Sequence, residues 1–298
     1  MKRIVHFVLL SIGLFDIHSL SSQDQNWQYL GQKPPGDTPE IFAPGVVSID
    51  SKNSHALAVS PDGKTIIFSR YPDRTSYILT FENGQWSGPV ESFFYGKEVS
   101  FSRDGNRIFY YTDGDIFCVE KQPTGWSPPV RLGAGVNTQG MEYYPCIVDD
   151  GSMYFSRDGN WNTGRLMVSQ YREGEFQTAR DLGLPINSGG ALHAWVAPDE
   201  RTMVFNSPRT GSHTRLDIWA SFRKTDGSWT NPQNLGKTVN SVADAILCPT
   251  VTPDGRYLFF TKLNFNTNTG NIYWASTGLI DSVRQTATGF KRIDTDKY

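Results

Sequence analysis

Five aspartates, Asp62, Asp104, Asp150, Asp199 and Asp254, each sit in a Pro-Asp-Gly or closely related turn, and the residues that precede them fall into register. Six places before each aspartate stand Ala56, Glu98, Tyr144, His193 and Cys248, and four places before stand Ala58, Ser100, Cys146, Trp195 and Thr250. The interleaved positions, such as Val59, Phe101, Ile147, Val196 and Val251, are apolar or proline. Side chains two apart along a strand share a face, so the first two sets define one polar face and the interleaved set a core face. The polar face collects Glu98, Tyr144 and His193, with Glu142, His55 and Asp244 close by. A carboxylate, a phenol and an imidazole together suit proton transfer or hydrogen bonding to sugar hydroxyls. Glu98, Glu142 and His193 are the candidate catalytic residues, and His55 and Tyr144 candidate ligand contacts. A polar face that does no more than hold water fits the same residues, and both readings stand at this level.

A second set follows the strand after each turn: Arg70, Arg157, Arg209 and Lys262, with Tyr71, Trp161 and His213 nearby. Convergence of these side chains would make a cationic, aromatic site for a carboxylate or an acidic sugar; solvated surface charge is the plainer reading. Trp86, Trp126 and Trp229 each follow a turn glycine at a regular place and read as packing. Trp161 and Trp195 break that regularity and are the better candidates to stack on a ligand, which adds them, with Arg157 and Arg209, to the ligand-binding set. Two loops rich in Asn and Asp, 158–164 and 264–271, lack the twelve-residue calcium pattern with its final Glu and read as turn chemistry. Cys118, Cys146 and Cys248 have no CxxC spacing, so buried free thiols are expected, and neither a metal nor a cofactor. No GxSxG, HExxH or phosphate loop is present.

The elements that must position these groups are legible in the repeat. The turn aspartates lie 42, 46, 49 and 55 residues apart, the period of a four-stranded propeller blade. Each turn joins two apolar strands as a tight hairpin. A third strand follows in Ile116-Phe-Cys-Val119, Leu166-Met-Val168, Asp217-Ile-Trp219 and Ile272-Tyr-Trp274. A fourth comes after Gly-Trp or an equivalent turn, and then a recurring phrase: Leu132-Gly-Ala-Gly-Val-Asn137, Leu182-Gly-Leu-Pro-Ile-Asn187 and Leu235-Gly-Lys-Thr-Val-Asn240. The expected fold is all-β, a single propeller of four-stranded antiparallel blades, five in number, with six the alternative. Trp27-Gln-Tyr-Leu-Gly31 copies the outer-strand phrase with nothing before it, while the last unit lacks an outer strand. The N-terminal segment is therefore expected to supply that strand and close the ring. In such a ring the polar face lines the central channel.

The Ser-Pro-Asp-Gly-Lys-x-Ile-Ile-Phe-Ser unit at 60–69, Asp217-Ile-Trp-Ala-Ser221 and the Gly-Ser-Trp-x-x-Pro-x-Asn-Leu-Gly run at 227–236 resemble the TolB-like, WD-like propeller repeat of exported bacterial proteins. The resemblance extends from Trp27 to Ser276 and implies a propeller, export, and a binding platform for proteins, with glycans or peptides as ligands of related propellers. It implies no particular chemistry. Glu200 stands where the repeat has glycine.

Bulk properties agree with that class. Hydrophobic residues make up 38% and charged residues 19% of 298, with a net charge of -2: enough for a core, and no attraction for nucleic acid. Lys2-Arg3, the apolar stretch from Ile4 to Phe15 and small residues near Ser21 read as a signal peptide over 1–21, too short for a permanent membrane span. The propeller domain is expected over 27–280 and a polar tail over 281–298. The functional expectation is an exported, periplasmic or extracellular, non-enzymatic protein that binds an envelope protein or a glycan at the channel mouth. A glycoside hydrolase or polysaccharide lyase is the alternative.

Overall fold

The computed structural model describes residues 28–72, 75–159 and 161–288. The segment read as a signal peptide lies outside them, as do Trp27 and residues 289–298. Among the described residues no helix is long and apolar enough to cross a membrane.

The fold is all-β and propeller-like. Five times, an inner strand turns through an Asp hairpin into a second strand, which pairs with a third and then with a short outer strand. The inner strands are Asn53–Val59, Lys97–Phe101, Glu142–Ile147, Leu192–Val196 and Ala245–Val251. Within each unit all pairings are antiparallel. The turns are built as the residue types demand: Ser60 Oγ donates to Asp62 Oδ1 (2.5 Å), which also accepts from the Lys64 amide (3.0 Å). Ser102, Asp104 and Asn106 repeat the arrangement, and those donors hold the Asp104 carboxyl below its usual range.

Adjacent units bury a separate apolar layer between them. Ile67 meets Phe94, Ile108 and Tyr110; Phe109 and Ile116 meet Met153 and Phe155; Tyr154 and Val168 meet Val196, Met203 and Phe205; Ile218 and Phe222 meet Leu258 and Phe260. The last unit and the first share a fifth layer, in which Phe259, Ile272 and Trp274 lie against Leu57, Ile66 and Phe68, with Phe42 and Val47 of the N-terminal segment among them.

The recurring Leu-Gly phrase ends in an asparagine for a structural reason. Asn137 Oδ1 accepts from the Ile116 amide and its Nδ2 donates to the Ile116 carbonyl, 2.9 and 2.8 Å away. Asn187 does the same to Leu166 and Asn240 to Ile218. The side chain thus satisfies a third-strand residue where the outer strand has already ended. Ser48 fills the corresponding place in the last unit, bonded to the amide and carbonyl of Ile272 at 3.0 and 3.2 Å. The matching outer strand is Glu40–Ile41, paired antiparallel with Thr269–Ser276, and the Phe42 amide donates to the Ile272 carbonyl as the Leu132 amide does to Ile116.

Two expectations change here. The N-terminal residues that pair with the last unit are Glu40 and Ile41, whereas Gln28–Gly31 forms a 3-10 turn whose Tyr29 packs on Tyr257 and Trp274. The sequence phrase at 27–31 copied the pattern, but Ile41-Phe-Ala-Pro-Gly-Val-Val-Ser48 has the register. In addition, residues 281–288, read as the start of a polar tail, belong to the helix Gly278–Thr288. Ile280 is buried, and Leu279, Val283 and Ala287 pack on the layer below. Four apolar residues among polar ones are easily overlooked, yet their spacing puts them on one helical face.

Candidate functional site at the channel mouth

Every inner strand carries a β-bulge at one and the same place. The register slips between His55 and Ala58, Lys97 and Ser100, Tyr143 and Cys146, Leu192 and Trp195, and Leu247 and Thr250. The bulged residues Ala56, Glu98, Tyr144, His193 and Cys248 have φ between +46° and +56°, a conformation that side-chain-bearing residues seldom adopt. They are the residues six places before each turn aspartate. Three of the strained amides are held by buried side chains from the preceding unit: Glu98 N–H donates to Ser69 Oγ (3.3 Å), His193 N–H to Ser156 Oγ (2.8 Å) and Cys248 N–H to Asn206 Oδ1 (2.9 Å).

The bulge interrupts the strict alternation expected from sequence and re-aims side chains. Consecutive residues now line one cavity: Lys97 with Glu98, and Leu192 with His193, together with Tyr111, Met141, Tyr143, Gly159 and Trp161, around about 170 Å³. A neighbouring cavity of about 300 Å³ shares Gly159 and Trp161 and adds Asn162 and Arg215. Tyr144 of the third inner strand donates its hydroxyl to the Pro249 carbonyl of the fifth (3.0 Å). Beyond it, at the end that carries the Asp turns, a funnel of about 400 Å³ is lined by Ala58, Ser100, Cys146, Trp195 and Thr250 with the turn prolines.

The mouth cavity has a particular chemistry. Glu98 and His193 are buried, with 7% and 8% of their surface exposed; His55, 8% exposed, lies outside the residues that line the cavity, with Lys97, Glu98 and His193 as its ionisable neighbours. Glu98 Oε2, His193 Nδ1 and His55 Nδ1 have no hydrogen-bond partner. Lys97 Nζ lies 3.7 Å from Glu98 Oε1 and over the Tyr111 ring. Burial pushes both imidazoles down to about 4, with the Lys97 ammonium adding to the effect on each, so at neutral pH both are uncharged. His193 lies edge-on to Tyr143 and Tyr144, with ring centroids 5.5 and 5.0 Å away. Trp161 stacks on Phe265 at 5.2 Å, and the Arg215 guanidinium sits over both rings. The two Asn/Asp-rich loops thus meet through one aromatic residue each.

The remaining candidates are placed elsewhere. Glu142 is fully buried and bonded to Arg157 Nε (2.8 Å) and Thr138 Oγ1 (2.6 Å). Arg157 also donates to the Val136 carbonyl, Arg209 to that of Ile186, Arg70 to that of Val46 and Lys262 to that of Ser241. Each cation packs over an aromatic of its own unit, Phe155, Phe205, Phe68 and Phe260 respectively. The four do not converge: each straps the loop that enters its unit. Burial lowers Arg209 to about 10. Trp195 faces the funnel at the opposite end, His213 bonds Asp217, and Asp244 accepts the Phe265 amide. The three cysteines are free and buried. Among the described residues no group of three or more His, Cys, Asp or Glu side chains is placed to hold a metal ion.

Lys97, Tyr111, Tyr143, Arg215 and Phe265 were not singled out in the sequence. The bulge hides the first and third, since period-two counting assigns them to the other face. A lone aromatic in a polar loop was the available signal for Phe265.

No family model matches the chain, and no curated protein matches it. Solved structures do. One is described as a putative TolB from Agrobacterium tumefaciens, 20% identical, with a TM-score of 0.49 over 72% of this chain and 71% of that one. Another is TolB from Acinetobacter baumannii, 13% identical, with a TM-score of 0.46 over 75% of this chain. The resemblance is TolB-like. Of that second TolB the chain spans about half, 54% of its length. A putative 6-phosphogluconolactonase from Bacteroides uniformis is similar at 14% identity and a TM-score of 0.44, over 72% of this chain and 68% of that one. At these values the TolB-like resemblance concerns the fold, and the site has to be argued from its own residues.

Proposed function

We propose that this chain is an exported, non-enzymatic binding propeller that takes its ligand, a glycan or a segment of an envelope protein, at the channel mouth lined by Glu98, Trp161 and His193. The observation that carries the reading is the pair of buried polar atoms without partners, Glu98 Oε2 and His193 Nδ1, on residues that line one cavity. A buried polar atom left unbonded costs about 1–3 kcal/mol, and its persistence in a strained, repeated bulge marks a place kept for something else to bond. The ring behind the site consists of five four-stranded blades closed by Glu40–Ile41. Support comes from the five inter-unit layers and from the matching registers of Phe42 and Leu132. The basic and apolar start of the sequence supports export.

A hydrolase or lyase has less support. Glycoside hydrolysis ordinarily needs two carboxylates flanking the scissile bond, and among the described residues lining the mouth cavity Glu98 is the one carboxylate. Glu142, the other candidate, is engaged by Arg157 and Thr138.

The test is a glycan array, together with candidate envelope proteins, probed with the wild-type chain and with folded His193→Ala and Glu98→Gln variants. Binding that weakens in both variants is expected. Equal binding by all three proteins would remove the mouth from consideration.

A further inference from the structure

The chemistry of the mouth narrows what it takes. Its two opposite charges, Lys97 and Glu98, lie 3.7 Å apart and answer each other, and the Arg215 guanidinium at the neighbouring cavity is packed over the Trp161 and Phe265 rings. The cations that would receive an acidic sugar, Arg157 and Arg209, are bound to carbonyls of their own loops. What stays unsatisfied on the lining is short-range: a carboxylate oxygen of Glu98 and an imidazole nitrogen of His193, both on side chains more than nine-tenths buried. A carboxylate oxygen accepts, and a neutral ring nitrogen accepts or donates according to its tautomer. The His55 ring has the Asn53 carbonyl, and the His193 ring the Asn206 side chain, as a stabilising neighbour. The group that meets Glu98 Oε2 and His193 Nδ1 without bringing charge is the hydroxyl, which accepts or donates. The wall beside them is aromatic, with the Trp161 and Phe265 pair and the Tyr111 and Tyr143 rings. Cavities of about 170 and 300 Å³ that share Trp161 far exceed the ~30 Å³ share of one water molecule.

We propose that the channel mouth binds a neutral, hydroxyl-rich ring, a sugar residue at the end of a glycan, with a ring face on Trp161 and hydroxyls bonded to Glu98 Oε2 and His193 Nδ1. This rests on the mouth being the binding site. The apolar ring face suits the indole, and the hydroxyls replace bonds that the fold leaves unmade. An anionic sugar would bring its carboxylate toward Glu98, and an aminosugar its ammonium toward Lys97.

Saturation-transfer NMR and calorimetry with four probes, methyl glucoside, N-acetylglucosamine, glucuronate and glucosamine, test the class. The neutral rings should bind, with glucuronate and glucosamine at least about tenfold weaker. Trp161→Ala and Glu98→Gln should each weaken the neutral rings by about tenfold or more, while both variants melt as the parent does. Tighter binding of glucuronate or glucosamine that still depends on Trp161 overturns the ligand class but leaves the site. Binding indifferent to both substitutions overturns both. If no probe binds the folded parent at millimolar concentrations, the neutral-ring proposal is wrong and ordered water occupies these atoms.

Discussion

His55 and His193 are the residues on which the account makes its sharpest demand. Burial holds both rings near 4, against 6.5 for the ordinary imidazole. The unfolded chain takes up these protons near pH 6.5, and the folded chain only near pH 4. Stability is therefore fully present above pH 6.5 and is lost as the pH falls through that window, by on the order of 3 kcal/mol for each ring. The groups that face the rings are Lys97, Glu98, Tyr143 and Tyr144. The turn carboxylate of Asp104, held below its usual range, titrates beneath the window. Denaturant midpoints measured between pH 7 and 4 should fall, and His193→Gln should remove roughly half of the fall. A flat midpoint across that range would mean that the rings are not buried as described. Glu98 and His193 were legible in the sequence because counting from the turn aspartates finds equivalent positions. The positive φ that aims them was not, since nothing in the residue types at those five places, from Ala56 to Tyr144, signals a left-handed backbone.

At the scale of elements, short polar devices join one unit to the next. Asn137, Asn187 and Asn240 each bond both backbone groups of a third-strand residue, and Ser48 does so for Ile272. Replacing Asn240 by Ala leaves the Ile218 amide buried and unpaired and its carbonyl with the Leu235 amide alone, a loss of about 1–3 kcal/mol that should appear as a lower denaturant midpoint with an unchanged slope. Phe42 carries more: it is fully buried and meets Phe259 and Trp274 edge-on at 4.8 and 5.2 Å. Phe42→Ala should cost about 3–5 kcal/mol. A change under about 1 kcal/mol would show that the N-terminal segment is a loose attachment, since deletions in a packed core cost several times that. The strands and turns were readable from sequence because Asp-Gly chemistry and strand periodicity are local. The place of the closing strand was not, because Trp27-Gln-Tyr-Leu-Gly31 imitates the phrase that Ile41 to Ser48 fulfils. The role of the arginines was hidden for a similar reason: whether a cation after a strand points to a ligand or back to a carbonyl depends on the loop that arrives beside it.

Across the whole molecule, an apolar layer lies between each unit and the next and another between the last unit and the first, and the proposed ring rests on them. Removing residues through Pro44 takes away Glu40–Ile41 and Phe42 and leaves the edge of Thr269–Ser276 unpaired. The truncated chain should melt earlier than the parent in a single transition, because each layer supports the next; an unchanged melting temperature would break the closure. Tyr144 reaches across to the Pro249 carbonyl, and the mouth cavity is lined by Glu98 and His193, each with a polar atom that the fold does not bond. Whether those atoms receive a ligand is most directly read by NMR of the chain carrying isotope-labelled histidine, titrated with N-acetylglucosamine. The expected result is that the Nδ1 resonance of His193 moves with saturation while that of His213, already bonded to Asp217, stays in place. Saturable binding that leaves His193 unmoved, or that moves His213 instead, would contradict it.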